Sequence, residues 1–180
     1  MASDDVEQLY QEIVAAAVKL TRSIAGTMQV FNDETNELEL LASAGIPPVI
    51  KKRFARVGAD SGTSCGVALR SGKRSYADYD DPNVRDPKGA NELHRKAGLL
   101  CSQSTVLLSR TGKCLGMIST HWGTHKHRLT EREQRFLDLL ARQSADLLEA
   151  RLSGKALIES DQRLRVVVGR DLIYKRGQGK

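Results

Sequence analysis

Cysteine, histidine and aspartate are the residues of this chain whose types and spacing could do chemistry. Cys65 lies in Ser61-Gly62-Thr63-Ser64-Cys65-Gly66, at the start of an expected short helix. Backbone N–H groups and the helix dipole at such a position favour a thiolate, and hence a reactive or ligand-contacting thiol. A small apolar residue buried where the chain turns tightly between two glycines accounts for the same cysteine, and that is our first reading of it. His121, His125 and His127 fall within seven residues and could share a metal with Cys101 or Cys114. They lack a regular ligand spacing, so loop histidines are the simpler account. His94 has no carboxylate or thiol partner that the sequence assigns, which makes it a surface or pocket-lining residue before it is a base. Asp78, Asp80, Asp81 and Asp86 form an acidic loop without the ordered ligand spacing of a calcium site. Turn-forming aspartates explain them. The chain carries no Gly-rich phosphate loop, no dinucleotide fingerprint and no zinc-protease helix motif.

The elements that must position these residues follow from periodicity and punctuation. Ser3 caps a first helix with acids in its first turn, and Val6, Leu9, Tyr10, Ile13, Ala17 and Leu20 recur along it as one apolar stripe. Residues 27–31 and 38–42 read as strands around the turn Asn32-Asp33-Glu34-Thr35-Asn36. Pro47 and Pro48 open a basic helical segment through Val57, and Thr63 or Ser64 caps a short helix ending near Gly72. Residues 74–78 read as a strand, and Asp86-Pro87 starts a helix running to Ala97. Residues 102–108 and 114–121 form a second hairpin around Ser109-Arg110-Thr111-Gly112-Lys113. Thr130-Glu131-Arg132-Glu133 is a capping box that opens a long apolar-faced helix. In that helix Ala150, Leu157 and Leu164 fall seven apart, a short heptad hint. Two hairpins enclosed by terminal helices predict an α+β domain, with antiparallel sheet and helices segregated to its faces.

Charge and composition narrow the function classes. The 180 residues carry 28 Lys and Arg against 22 Asp and Glu, a net of +6. Eight of those bases and three of the acids lie in residues 151–180, so the body is nearly neutral and the basic balance belongs to the tail. That distribution argues against nucleic acid as a partner, as does an aromatic share of 4%. The longest uncharged stretch, Ala97 to Ser109, is shorter than the ~20 residues a spanning helix needs. An acidic N-terminus and three widely spaced cysteines suit a reduced, cytoplasmic protein with no membrane partner.

The run from Gly62-Thr63-Ser64-Cys65-Gly66 through Ser71-Gly72-Lys73 to Asp78 resembles the middle of a GAF domain. Gln103-Ser104-Thr105-Val106-Leu107-Leu108-Ser109-Arg110, Gly112 and Leu115-Gly116-Met117-Ile118-Ser119-Thr120-His121 resemble that family's closing hairpin. The likeness is to GAF domains of bacterial multidomain sensor histidine kinases. Val106 replaces the proline often found in the penultimate strand, without cost to a strand. The resemblance implies a GAF/PAS-like antiparallel sheet of five to six strands. The N- and C-terminal helices would lie on one face, with short helices and loops over a pocket on the other. Domain limits then fall at 1–152 for the GAF domain, 153–168 for a helical signalling linker and 169–180 for a basic, flexible tail.

The function this implies is a cytoplasmic sensory module of a two-component system. An unidentified small molecule would bind between sheet and middle helices, and the terminal helices would pair with a second copy. The signal would pass towards a downstream PAS or kinase module in a longer relative. Cys65, Tyr76, Asp78, Asn91, His94, Gln103, Ser104, Met117, Ser119 and His121 are the ligand-binding candidates, with sheet-face parity open by one residue. No cofactor is specified. The Asn-Lys-Phe-Asp-Glu constellation of cyclic-nucleotide-binding GAF domains and the Cys-His pair of bilin-binding ones are absent. Two alternatives stand beside the sensor. One is a free methionine-(R)-sulfoxide reductase using Cys65, although the later cysteine pattern and the acidic pair of that group are not matched. The other is a dimerisation scaffold without a ligand.

Overall fold

The computed structural model describes residues 3–177 apart from residues 85 and 87. In chain order the elements are α1 (Ser3–Thr21), β1 (Ala25–Asn32), β2 (Glu37–Ala44), α2 (Pro48–Arg53), β3 (Arg56–Val57), α3 (Ser64–Ser71), β4 (Ser75–Asp78), α4 (Ala90–Lys96), β5 (Cys101–Leu108), β6 (Cys114–Trp122) and α5 (Glu131–Gly177). Two short turns nucleate the sheet. Asn32 Oδ1 accepts the N–H groups of Glu34 and Thr35, and Asn36 takes φ 56, which folds β2 back on β1. Ser109 Oγ accepts the N–H groups of Thr111 and Lys113, and Gly112 takes φ 84, which closes β5 onto β6.

The hairpins join through β1 and β6, with Ala25 opposite His121 and Val30 opposite Gly116. One six-stranded antiparallel sheet results, in the order β3-β2-β1-β6-β5-β4. α1 lies on one face, over β1 and β2. Gly26 permits that approach, since a Cβ there would stand 2.8 Å from Val18 Cγ2. The start of α5 covers the same face further along. Gln103 of β5 and Gln134 exchange amide hydrogen bonds of 3.2 and 3.0 Å, and Trp122 Nε1 donates to the Thr21 carbonyl. Arg22, at the end of α1, pairs with Glu133 at 2.8 Å. The expected capping box is present: Thr130 N and Oγ1 both donate to Glu133 Oε2, while Thr130 Oγ1 accepts the Glu133 N–H.

The middle helices cover the other face, over clusters built from Leu38, Val57, Cys65, Ala68 and Met117, and from Ala25, Ile50, Tyr79 and Leu99. Two expected helices are shorter than their sequence patterns. The basic segment ends at Arg53, and Arg56 and Val57 become strand by pairing with Glu39 and Leu38. Edge pairing there overrides a pattern that has no stop signal. The helix expected from Pro87 begins at Ala90, after Gly89 at φ 67. Asp86 still acts near that start, its Oδ2 accepting the Glu92 N–H.

The chain divides into a unit of residues 1–145 and a second of residues 146–180. The heptad positions Leu157 and Leu164, and all side chains of residues 157–180, lie outside the described ones. No described helix is long and apolar enough to cross a membrane.

Candidate functional site

Strand register resolves the face parity. Ser102, Ser104, Met117, Ser119 and His121 point with Thr27 and Gln29 toward the middle helices, because Ser104 pairs with Ser119, Ser102 with His121, and Gln29 with Met117. Tyr76, Asp78 and Gln103 have the opposite parity. The ten sequence candidates therefore divide. Cys65, His94, Ser104, Met117, Ser119 and His121 meet in the interior. Tyr76, Asp78 and Asn91 line a groove beside the edge strand β4. Gln103 shares the face of Tyr76 but lines neither space and is engaged by Gln134 of α5.

The interior is held by a chain of hydroxyls. Tyr79 Oη lies 2.7 Å from Ser102 Oγ, which lies 2.7 Å from Ser64 Oγ. Ser64 continues to Ser104 at 2.8 Å, and Ser104 to Ser119 at 2.8 Å. Cys65 Sγ ends the chain, 3.1 Å from Ser119 Oγ. Thr63 places that thiol by capping α3, its Oγ1 accepting the Gly66 N–H at 3.1 Å. Burial drives the Tyr79 hydroxyl well above the ordinary phenol range, so it stays a neutral member of the network. Beside it stands a set of stacked rings. His94 packs against Tyr79, Phe54 and His121 at centroid distances of 4.3, 4.9 and 5.9 Å. His94 Nδ1 donates to the Ala90 carbonyl at 2.6 Å, leaving Nε2 as the acceptor of a neutral ring. Burial lowers the pKa of His94 and, with repulsion from His94, pushes that of His121 down to about 3.

The space left among these groups is about 30 Å³, between the sheet, α2 and α4, roughly the volume of one water molecule. Gln29 Oε1 and His121 Nδ1 border it without a hydrogen-bond partner among the described residues. The chamber expected under the middle helices is thus nearly filled by side chains.

The large opening lies elsewhere. A groove of about 930 Å³ runs along β4, between the start of α3, α4, the loop 80–84 and the loop 125–128. Asn91 is 5% exposed, yet its Oδ1 has no partner among the described residues, and neither has the Tyr76 hydroxyl. The Arg128 guanidinium carbon sits 3.0 Å from the centre of the Tyr76 ring. Asp78 accepts the Lys126 N–H at 3.0 Å and contacts His125 Nδ1 at 3.4 Å. Burial would raise the Asp78 carboxyl, but the N–H groups of Asp80 and Lys126 and the His125 ring outweigh it and hold it below its ordinary value.

The three histidines 121, 125 and 127 stand apart, and His121 is not the loop residue expected of it but a buried strand residue. His121 is interior, His125 meets Asp78, and His127 stacks on Trp122 at 4.5 Å. Among the described residues no group of His, Cys, Asp or Glu is placed to hold a metal. The cysteines are free. Burial raises the thiol pKa of Cys101 and Cys114, and Cys101 donates to the Thr124 carbonyl on the face opposite Cys65. Sequence reasoning missed Gln29, Ser64, Tyr79, Ser102, Lys126 and Arg128. Tyr79 follows directly on the expected strand 74–78 and could have been found there.

This architecture is shared with solved structures. A domain described as part of a two-component sensor histidine kinase from Sinorhizobium meliloti superposes with TM-score 0.68 at 14% identity, over 86% of this chain and 98% of that one. A GAF domain/HD domain protein from Geobacter sulfurreducens gives 0.66 at 16%, over 83% and 95%. The second GAF domain of DevS from Mycobacterium smegmatis gives 0.60 at 18%, over 83% and 97%. No curated protein matches the chain. A GAF domain family model matches residues 3–149, and the chain belongs to that family, whose members are typically small-molecule-binding signalling modules.

Proposed function

We propose that this chain is a sensory module that takes a small molecule in the groove beside β4 and passes its occupancy to α5. The observation that carries this reading is the continuity of the groove wall with the helix. His125, Lys126 and Arg128 line the groove, and α5 opens at Glu131, immediately after its Thr130 cap. Asp78 holds the loop from the strand side through Lys126 N and His125, so a ligand touching Asp78, Lys126 or Arg128 bears directly on the segment that sets the start of α5. The coupling is a population shift: a ligand that prefers one arrangement of the loop favours the helix position compatible with it. Phe136 and Leu139 on α5 are 40% and 63% exposed. They supply an apolar surface through which a second copy would receive the change.

Native mass spectrometry on the chain purified from its own host tests for a co-purifying small molecule, and hydrogen exchange with and without it tests the coupling. Occupancy should slow exchange across residues 124–137, and Asp78→Ala should abolish the slowing at the helix start. A bound molecule that leaves exchange there unchanged refutes the relay.

The nearly filled interior favours a second reading, a dimerisation scaffold that responds to no ligand. It predicts that the protein purifies empty and that its association is indifferent to host extracts. Reductase chemistry at Cys65 has less support. Its thiol is tied into the serine network, and Cys101 lies across the sheet from it.

A further inference from the structure

We infer that the groove takes a small zwitterion, an amino acid or dipeptide, and this assignment rests on the groove being the sensory site. The charged groups of the groove that are already satisfied leave a specific remainder. Asp78 is engaged by His125 and Lys126 N–H, and Asp80 pairs with Arg95 at 2.9 Å. Lys126 is held in the left-handed region at φ 55 by the bond from its own N–H, while its ammonium has no partner among the described residues. Arg128 lies over Tyr76 and spends one N–H on the His127 carbonyl, which leaves further guanidinium donors uncommitted. Together these two cations suit one carboxylate.

The remainder of opposite kind is an acceptor set. Asn91 Oδ1 is a buried acceptor without a donor among the described residues, and a hydrogen bond to such a group is costly to leave unmade. Asp81 spends one carboxylate oxygen on Asn83, and its other oxygen has no partner among the described residues. An ammonium or peptide N–H answers both. A purely anionic ligand would leave Asn91 unanswered and would meet the Asp81 charge. A purely cationic one would face Lys126 and Arg128. A ligand carrying both groups satisfies the two sets, and about 930 Å³ leaves room for a side chain or a second residue.

The full-length chain is titrated calorimetrically with the free L-amino acids and glycyl dipeptides. The best of them is then compared with its carboxamide and with its deaminated acid. The intact zwitterion should bind about tenfold or more tightly than either, as expected for the loss of one charged hydrogen-bonding group. Lys126→Gln should weaken the zwitterion by a similar factor while leaving the carboxamide unaffected. Asn91→Leu should weaken the zwitterion but not the deaminated acid. Lys126 is an exposed loop residue, so its variant reports on binding even where the Asn91 variant fails to fold. Equal binding of the carboxamide, insensitivity to Lys126→Gln, or no binding of any amino acid or dipeptide at millimolar concentration overturns the zwitterion. The sensory reading survives that outcome if another molecule still slows exchange across residues 124–137, and fails separately if none does.

Discussion

His121 is buried at 5% exposure among Tyr79, His94 and the central strands, and its pKa is pushed down to about 3. In the unfolded chain the imidazole takes up its proton near its ordinary value of about 6.5. Between those values the unfolded state binds the proton and the folded state does not, so stability falls as the pH drops. From pH 7 to pH 5 this single group should cost about 2 kcal/mol, from about 1.4 kcal/mol per pH unit once the unfolded imidazole is mostly charged. His94, whose pKa burial also lowers, adds a cost in the same direction. The carboxylates of Asp78 and Glu133, held below their ordinary values, lose their contribution mainly at lower pH, outside this window. Replacing His121 by Phe keeps a ring on the stack, and replacing it by Asn keeps a small polar group. Neither titrates. Urea unfolding of the wild type and both variants at pH 7 and pH 5, at constant ionic strength, measures the difference. Both variants should lose about 2 kcal/mol less than the wild type, whatever their stability at pH 7. If both keep the wild-type dependence, the argument that the buried ring stays neutral is wrong.

Other perturbations test the scaffold around the site. At Gly66 a Cβ would collide with Ser61 Oγ and stand 2.8 Å from the Gly58 carbonyl oxygen. Gly66→Ala should therefore destabilise by about 1–3 kcal/mol in denaturant unfolding and displace the turn that places Cys65. Ser104→Ala removes the hydroxyl shared by Ser64 and Ser119 and should cost about 1–3 kcal/mol, more than an exposed serine such as Ser71 would. Thr130→Ala breaks the capping box and should cost about 1 kcal/mol, with faster hydrogen exchange confined to the first turn of α5. Wild-type protection in that turn would show that Arg22 and Glu133 suffice to anchor the helix.

Local chemistry written in consecutive residues was legible from the chain alone. The Asn32–Asn36 and Ser109–Lys113 turns, the Thr130–Glu133 box and the first helix each act within a few residues, and each is present, the box with its expected partners. The order of the Gly62–Lys73 and Gln103–His121 segments carried the resemblance to the GAF family. The alternation along β4, β5 and β6 announced two faces, but period two cannot say which face meets which helices. Tyr76, Asp78 and Gln103 could therefore be separated from Ser104, Ser119 and His121 only by cross-strand register. The two-residue strand β3 carries no periodic signal and exists because Leu38 and Glu39 offer it an edge.

The sequence by itself determined most of the elements, all but the two-residue β3, and part of the residue set eligible for the site. Tertiary packing decided the location of empty space. Side chains of α2, α3 and α4 fill the interior almost completely, while β4, the edge strand of the sheet, borders the opening. The physical reason is range: turns and caps are settled by contacts a few residues apart. Volume and charge in a groove are settled by segments as distant as Thr63, Asp81 and Arg128, whose proximity no local pattern encodes.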